Sequence, residues 1–274
     1  MSSVHAAFRA LHERGCFVIP NPWDRGTVRA LETLGFPALA TTSAGFAFTR
    51  GVPDVPGSLS VEDVLEHVAD VVAAASVPVN ADFQNGYAPD AEGVAENVRR
   101  CVETGVSGLS IEDTSEDPDS PLFELAEAVE RVRAARAAID ASGVDVLLTA
   151  RAECFLVGHP DPLRESIRRL QAYAAAGADV LYAPGVRDAD GISTIVDAFH
   201  PKPVNVLMSA NLGLRIADLA ALGVRRVSVG SALARVAWGA FLRAATEIAD
   251  EGSFAGLETA APFSQLNALF KSPS

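Results

Sequence analysis

Short runs rich in Val, Leu and Ile alternate along the chain with longer stretches whose apolar residues recur at spacings of three and four. The first pattern suits a strand buried on both faces, the second a helix with one buried stripe. Strands are expected at 16–20, 38–42, 78–82, 108–112, 146–151, 179–183, 203–207 and 226–230. Helices are expected at 24–34, 61–75, 90–104, 122–141, 162–176, 189–199, 213–222 and 231–250. Three helix exits, in ETGVSGLS, AAGADVLY and ALGVRRVSV, place a glycine just before a strand. Glycine takes the left-handed C-cap conformation at no steric cost. Eight strand–helix units predict an α/β fold, a (β/α)8 TIM barrel. No linker divides residues 1–274, so they read as one domain with a C-terminal helical extension at 253–271, and 44–60 is the longest structureless stretch.

In such a barrel the C-terminal ends of the strands share one mouth. The run PVNAD ends on Asp82, GLSIE on Glu112 and VLLTAR on Arg151. Two acids and an arginine converging there suit a divalent cation with oxygen ligands and a small anion gripped by the guanidinium fork. Asn21, Trp23, Ser43, Ala44, Gly45, Gln84 and Glu153 join them, with Tyr182, Asn205 and Ser231 as weaker members. Asp54, in the loop GVPDVPG, folds back over the same opening. Glu112 and Asp113 are adjacent, so alternation lets one of them point inward; Glu112 is chosen and Asp113 is left as a loop acid. The plain alternatives are a turn cap for Asp82 and a buried ion pair of Arg151 with Glu112 or Glu153.

Composition narrows the chemistry. With 274 residues, 49% of them apolar, the chain can bury one large core. A formal charge of -13 argues against nucleic acid or an anionic membrane as partner. No apolar stretch reaches the ~18 residues of a membrane span, and no leader pattern opens the chain, so a cytoplasmic protein is expected. Cys16, Cys101 and Cys154 lack CxxC spacing and read as reduced thiols. The only lysines, Lys202 and Lys271, are not placed for a Schiff base, and the five histidines form no HxH or HExxH pair. Cys154 reads as a small buried residue, His159 as a turn residue, and Ser231 in VGSALAR as a helix N-cap rather than a phosphate site. Glu116, Asp117 and Asp119 form a solvated loop or a lid.

Several segments, NPWDRGTVRALETLGFPALATTSAG, GVPD, PVNADFQNGYA, GLSIEDT, LLTARAECF and AAGADVLY, occur in an order and spacing that resemble the isocitrate lyase/phosphoenolpyruvate mutase superfamily. The resemblance runs to about residue 250. It implies Mg2+, or Mn2+ in its place, with Asp82 as direct ligand, and Asp54, Glu112 and the position of Gln84 ordering its waters. It makes Arg151 and Glu112 the catalytic pair, with Arg151 also holding substrate. Ser43, Ala44 and Gly45 fall where a substrate carboxylate is bound, and Asn205 joins them. Members of the superfamily stabilise an enolate-like species on the metal while a C–C or P–C bond breaks. The resemblance also implies a homo-oligomer, a dimer or a tetramer, the tetramer built from dimers that exchange a C-terminal helix.

The departures bear on the reaction. Gln84 stands where the family motif has an acid, and EDTSEDPDSPLFE lacks both the KKCGH-like cysteine of the lyases and the lysine and asparagine of the phosphonate enzymes. The expected activity is lyase or decarboxylase action on a 2-oxo dicarboxylate. The alternatives are P–C cleavage of a phosphonopyruvate-like substrate, 2-oxo acid binding without turnover, and an unrelated phosphate-binding barrel. Tyr87, His159, Tyr182 and a metal-bound water stand open as proton donors.

Overall fold

The computed structural model describes residues 3–55, 57–115 and 117–271; Glu116 of the acidic loop and the two ends of the 1–274 span lie outside them. Its strands are β1 (Phe17–Ile19), β2 (Leu39–Ala40), β3 (Val79–Asp82), β4 (Gly108–Glu112), β5 (Leu147–Arg151), β6 (Val180–Tyr182), β7 (Val204–Leu207) and β8 (Arg226–Ser228). All pair in parallel, in the order β1-β8-β7-β6-β5-β4-β3-β2. The two free edges meet where the Ala40 N–H donates to the Pro20 carbonyl at 3.0 Å, nearly closing the ring.

The helices in chain order are α1 (Ser3–Glu13), α2 (Arg25–Thr33), α3 (Ser43–Thr49), α4 (Val61–Ala74), α5 (Ala91–Glu103), α6 (Leu125–Ser142) and α7 (Pro162–Ala175), then α8 (Ala189–Phe199), α9 (Ile216–Ala221), α10 (Ala232–Glu251) and α11 (Phe263–Leu269). The architecture is the predicted (β/α)8 TIM barrel with an extra C-terminal helix. Two helices were not expected from the sequence. Helix α3 lies inside the supposed loop 44–60, and α1 precedes the first strand.

Alternation along the strands sorts the side chains sharply. Ala81, Leu109, Ile111, Leu148, Ala150, Leu181, Val206 and Val227 face outward into the main core beneath the helices. Full burial of each Leu, Ile or Val contributes roughly 1.5–3 kcal/mol. The inward positions are largely polar. Glu112 pairs in register with Arg151, Arg151 with Tyr182, Tyr182 with Asn205, and Asn205 with Arg226. In-register partners on parallel strands share a face, so this ladder lines the barrel interior. At the end opposite the mouth, Phe8 of α1 packs with Phe17, Ile19, Ala38, Ala40 and Leu147 as a separate apolar plug. Gly108 is required there, because a Cβ would lie 2.7 Å from both Asn80 Oδ1 and Phe8 Cε1.

Helix α10 behaves unlike the others. Ala234 is its one buried residue, while Val236, Phe241 and Leu242 are 67%, 60% and 54% exposed. It stands away from its own barrel rather than covering it.

Candidate active site

Arg151, at the end of β5, is the centre of the mouth. Its Nη1 lies 2.7 Å from Asp82 Oδ1 and 3.0 Å from Glu112 Oε2, and its Nε donates to Glu153 Oε1 at 2.8 Å. Burial works against the charge, but Glu112, Glu153 and Asp82 outweigh it and hold the guanidinium well above its ordinary range. The acids respond oppositely. Burial pushes Glu153 up to about 8, with Arg151 pulling back and Glu112 adding repulsion. Glu112 is also raised by burial, against Arg151. One cation cannot neutralise every carboxylate around it.

Asp82 is held at its root by its own N–H, which donates to Thr41 Oγ1 at 2.8 Å, and its Oδ2 accepts the Ser43 N–H at 3.1 Å. Asp54 does fold back over the opening. Gln84 Nε2 donates to its Oδ1 at 3.3 Å, and its carboxyl is raised by burial and by Asp82, while a Ser43 side-chain hydrogen bond and Arg151 act to lower it. Gln84 and Tyr87 have φ of 40° and 52°, a conformation unfavourable for both. Two bonds pin this strained loop: the Glu112 N–H donates to the Gln84 carbonyl at 2.8 Å, and the Tyr87 N–H to Asn85 Oδ1 at 3.1 Å.

The expected carboxylate loop, Ser43, Ala44 and Gly45, is the first turn of α3. Thr42 caps it by accepting the Gly45 N–H at 3.2 Å. The Ser43 and Gly45 amides are thus already engaged within the protein.

Two chambers open from the mouth. One, of about 220 Å³, runs down the barrel axis past Asp82, Arg151, Tyr182 and Ser231 to Asn205 and Arg226. The other, of about 370 Å³, lies towards Gln84, Tyr87 and Glu112. Ser43, Asp54, Arg151 and Leu156 border both. Asn205 is buried in the wall, where it accepts from Arg226 Nε at 2.8 Å and donates to Ser228 Oγ at 2.9 Å. Among the described residues no three His, Cys, Asp or Glu side chains form a ready cation cluster. Instead Asp82 and Glu112 lean onto Arg151. The donor set still fits a hard cation: four carboxylates of Asp54, Asp82, Glu112 and Glu153 face a single guanidinium, all with oxygen donors.

Some expectations need correction. Asp113 is no loop acid: it accepts from Tyr173 Oη at 2.6 Å, from Arg169 Nη1 at 3.1 Å and from the Glu153 N–H at 2.9 Å. Buried outside the barrel wall, it anchors the segment that carries Glu153. Ser231 is the N-cap residue of α10 as expected, but its side chain makes no capping hydrogen bond and lines the axial chamber. Burial pushes the Cys154 thiol up to about 11, consistent with an inert buried residue. His159 accepts the Asp161 N–H at 3.1 Å in its turn. The loop after Glu112 is closed on itself, Ser115 N–H to the Pro121 carbonyl at 2.9 Å, and carries Asp117 and Asp119 exposed. Arg226, Ser228 and Asn80 also line the axial chamber and were not expected there from the sequence. Their signal was the polar–apolar alternation of RVSV and VNAD in strands that a parallel barrel should make apolar.

Comparison with known proteins places the chain. The phosphoenolpyruvate phosphomutase family matches residues 8–249. A crystal structure from Burkholderia cenocepacia J2315, described provisionally as a lyase/mutase, superposes with a TM-score of 0.93 at 49% identity, covering 99% of this chain and 97% of that one. An oxaloacetate decarboxylase of Pseudomonas savastanoi pv. phaseolicola is 31% identical over 80% of this chain and 75% of its own. The 2-methylisocitrate lyase of Escherichia coli K12 is 29% identical over 72% of this chain and 68% of its own. The barrel, its strand-end acids and arginine, and these matches together show that the chain belongs to the phosphoenolpyruvate phosphomutase family, within the isocitrate lyase/phosphoenolpyruvate mutase superfamily.

Proposed function

We propose that this chain is a Mg2+-dependent enzyme, accepting Mn2+ in its place, that cleaves a C–C bond of a small 2-oxo dicarboxylic acid as a lyase or decarboxylase. The observation that carries the reading is the excess of carboxylates over cations at the mouth: Asp54, Asp82, Glu112 and Glu153 surround one guanidinium, with Asp54 and Asp82 on the chamber of about 220 Å³ and Glu112 and Glu153 on its neighbour of about 370 Å³. Asp82 would hold the cation directly, with Asp54, Glu112 and Gln84 ordering its waters. When bound, the cation would act as a Lewis acid on the substrate's 2-oxo group as negative charge develops there.

The chain's own groups do the rest. Arg151 releases Asp82 to fork a substrate carboxylate, while its contacts with Glu112 and Glu153 keep the guanidinium charged and oriented. The Ser43 hydroxyl and the Ala44 and Gly45 backbone border that carboxylate, and Asn205 shapes the inner end of the chamber. Cleavage leaves an electron pair on the carbon beside the carbonyl, which must then take a proton. Cys154 cannot supply it, being buried with a raised pKa.

The charge of -13 keeps nucleic acid off this surface. No helix among the described residues is long and apolar enough to cross a membrane, and the reading is of a cytoplasmic enzyme. The exposed apolar side of α10 supports a homo-oligomer, dimer or tetramer, in which C-terminal helices are exchanged between subunits.

The test is calorimetric titration with oxaloacetate, 2-oxoglutarate and phosphonopyruvate, in Mg2+ and in EDTA, followed by NMR of each mixture. Binding should require Mg2+ and be lost in Asp82→Ala. Binding indifferent to EDTA and to Asp82→Ala would overturn the metal assignment. Product only from phosphonopyruvate would favour P–C cleavage, and binding with no product a non-catalytic role.

A further inference from the structure

A directional row of hydrogen bonds runs up the inner wall of the axial chamber. It starts at Arg226, which is 3% exposed and forms no ion pair among the described residues. Its guanidinium meets neutral groups alone: Asn205 Oδ1 at 2.8 Å, Thr149 Oγ1 at 3.0 Å and His12 Nε2 at 3.4 Å. His12 Nδ1 lies 2.8 Å from the Phe8 carbonyl and so carries the ring proton, which leaves Nε2 as an acceptor. A guanidinium has hydrogens to give and no lone pair to offer. Asn205 must therefore turn its oxygen to Arg226, and its amide nitrogen donates to Ser228 Oγ at 2.9 Å. Ser228 passes its own hydrogen to Tyr182 Oη at 3.4 Å, the longest step of the row. Tyr182 receives a hydrogen and must spend its own elsewhere, and no acceptor among the described residues takes it. The ring lies under Arg151, whose guanidinium carbon is 5.3 Å from the ring centroid, and both border the axial chamber.

We propose that Tyr182 is the proton donor of the reaction, and that Arg226, Asn205 and Ser228 are positioning residues that aim its O–H into the chamber. The proposal rests on the C–C cleavage reading above. For an oxaloacetate-like dianion, the C3–C4 bond breaks, C4 leaves as carbon dioxide, and the bonding pair stays with C3. C3 then takes the Tyr182 hydrogen, the O–H pair remains on the phenolate oxygen, and the phenolate recovers a proton from water at the mouth. An enolate carbon is a far stronger base than a phenolate, so the transfer runs downhill. Burial first, eased by Arg151, pushes the hydroxyl up to about 12, which keeps it protonated and ready to donate at neutral pH. Tyr87, the other chamber tyrosine, lies towards Glu112 and Gln84, away from this row.

The test uses the full chain with Mg2+. Wild type should form pyruvate from oxaloacetate and, as the reverse of the proposed transfer, exchange the methyl hydrogens of pyruvate in D2O, followed by NMR. Tyr182→Phe should lower kcat by about 100-fold or more and abolish the exchange, with oxalate affinity within about threefold of wild type. Asn205→Asp gives Arg226 a carboxylate partner and removes the N–H that feeds Ser228, so Ser228 turns its hydrogen away from Tyr182. That variant should keep or raise the melting temperature while kcat falls, an outcome that a merely structural role, losing both together, would not give. Pyruvate formed by wild type, with full kcat and exchange kept in Tyr182→Phe, overturns the donor assignment alone. No product from any 2-oxo diacid with wild type overturns it together with the reading beneath it.

Discussion

Arg151 carries the electrostatics of the mouth, and its geometry is specific to a guanidinium. Lysine would keep the charge and lose the fork that reaches Asp82, Glu112 and Glu153 together. Arg151→Lys should weaken oxalate binding in Mg2+ at least about tenfold by calorimetry. Glu153 adds a pH signature. Its folded pKa, about 8, lies above the ordinary 4.5, so its contribution to stability is complete below 4.5 and is lost as pH rises through about 8. The melting temperature of the metal-free protein should therefore fall across that window, and Glu153→Gln should flatten the fall. Asp82, Glu112 and Arg151 were legible because each ends an apolar run. Asp113 was legible only in part. Alternation says that it turns outward, but not that Tyr173 and Arg169, 60 and 56 residues on, wait to bury it.

At the scale of elements, the βαβ rhythm was read correctly because buried strands and helical stripes repeat eight times. Helix α3 escaped because its seven residues, SAGFAFT, include a glycine and are too few to show a stripe. Gly45 is there for packing: a Cβ would fall 2.5 Å from Thr42 Cγ2 and 3.1 Å from Trp23 Cβ. Gly45→Ala should displace the Thr42 cap, cost about 1–3 kcal/mol in denaturant unfolding, and weaken oxalate binding at the turn beside Asp82. Helix α1 was missed although Phe8, Leu11 and His12 recur at helical spacing, since a barrel needs no helix ahead of its first strand. The need arises from the interior, where the plug must fill the end opposite a polar chamber. Phe8→Ala should cost about 3–5 kcal/mol, measured by chemical denaturation.

On the scale of the whole molecule, α10 exposes Val236, Phe241 and Leu242, and α11 exposes Phe263 at 83%. Surface this apolar suits the subunit contact proposed above. Light scattering after gel filtration should give a dimer or larger, and Phe241→Glu should shift it towards monomer. That assembly would leave the eight-strand mouth intact, so the chemistry is testable without it. The central claim is that Asp82 and Arg151, with a divalent cation, break a C–C bond of a 2-oxo diacid. The most direct measurement is NMR of oxaloacetate mixed with the protein and Mg2+, against buffer with Mg2+ alone and against Asp82→Ala. Pyruvate formed faster with the wild type than in either control is the predicted result; a rate equal to that of Mg2+ in buffer would contradict it.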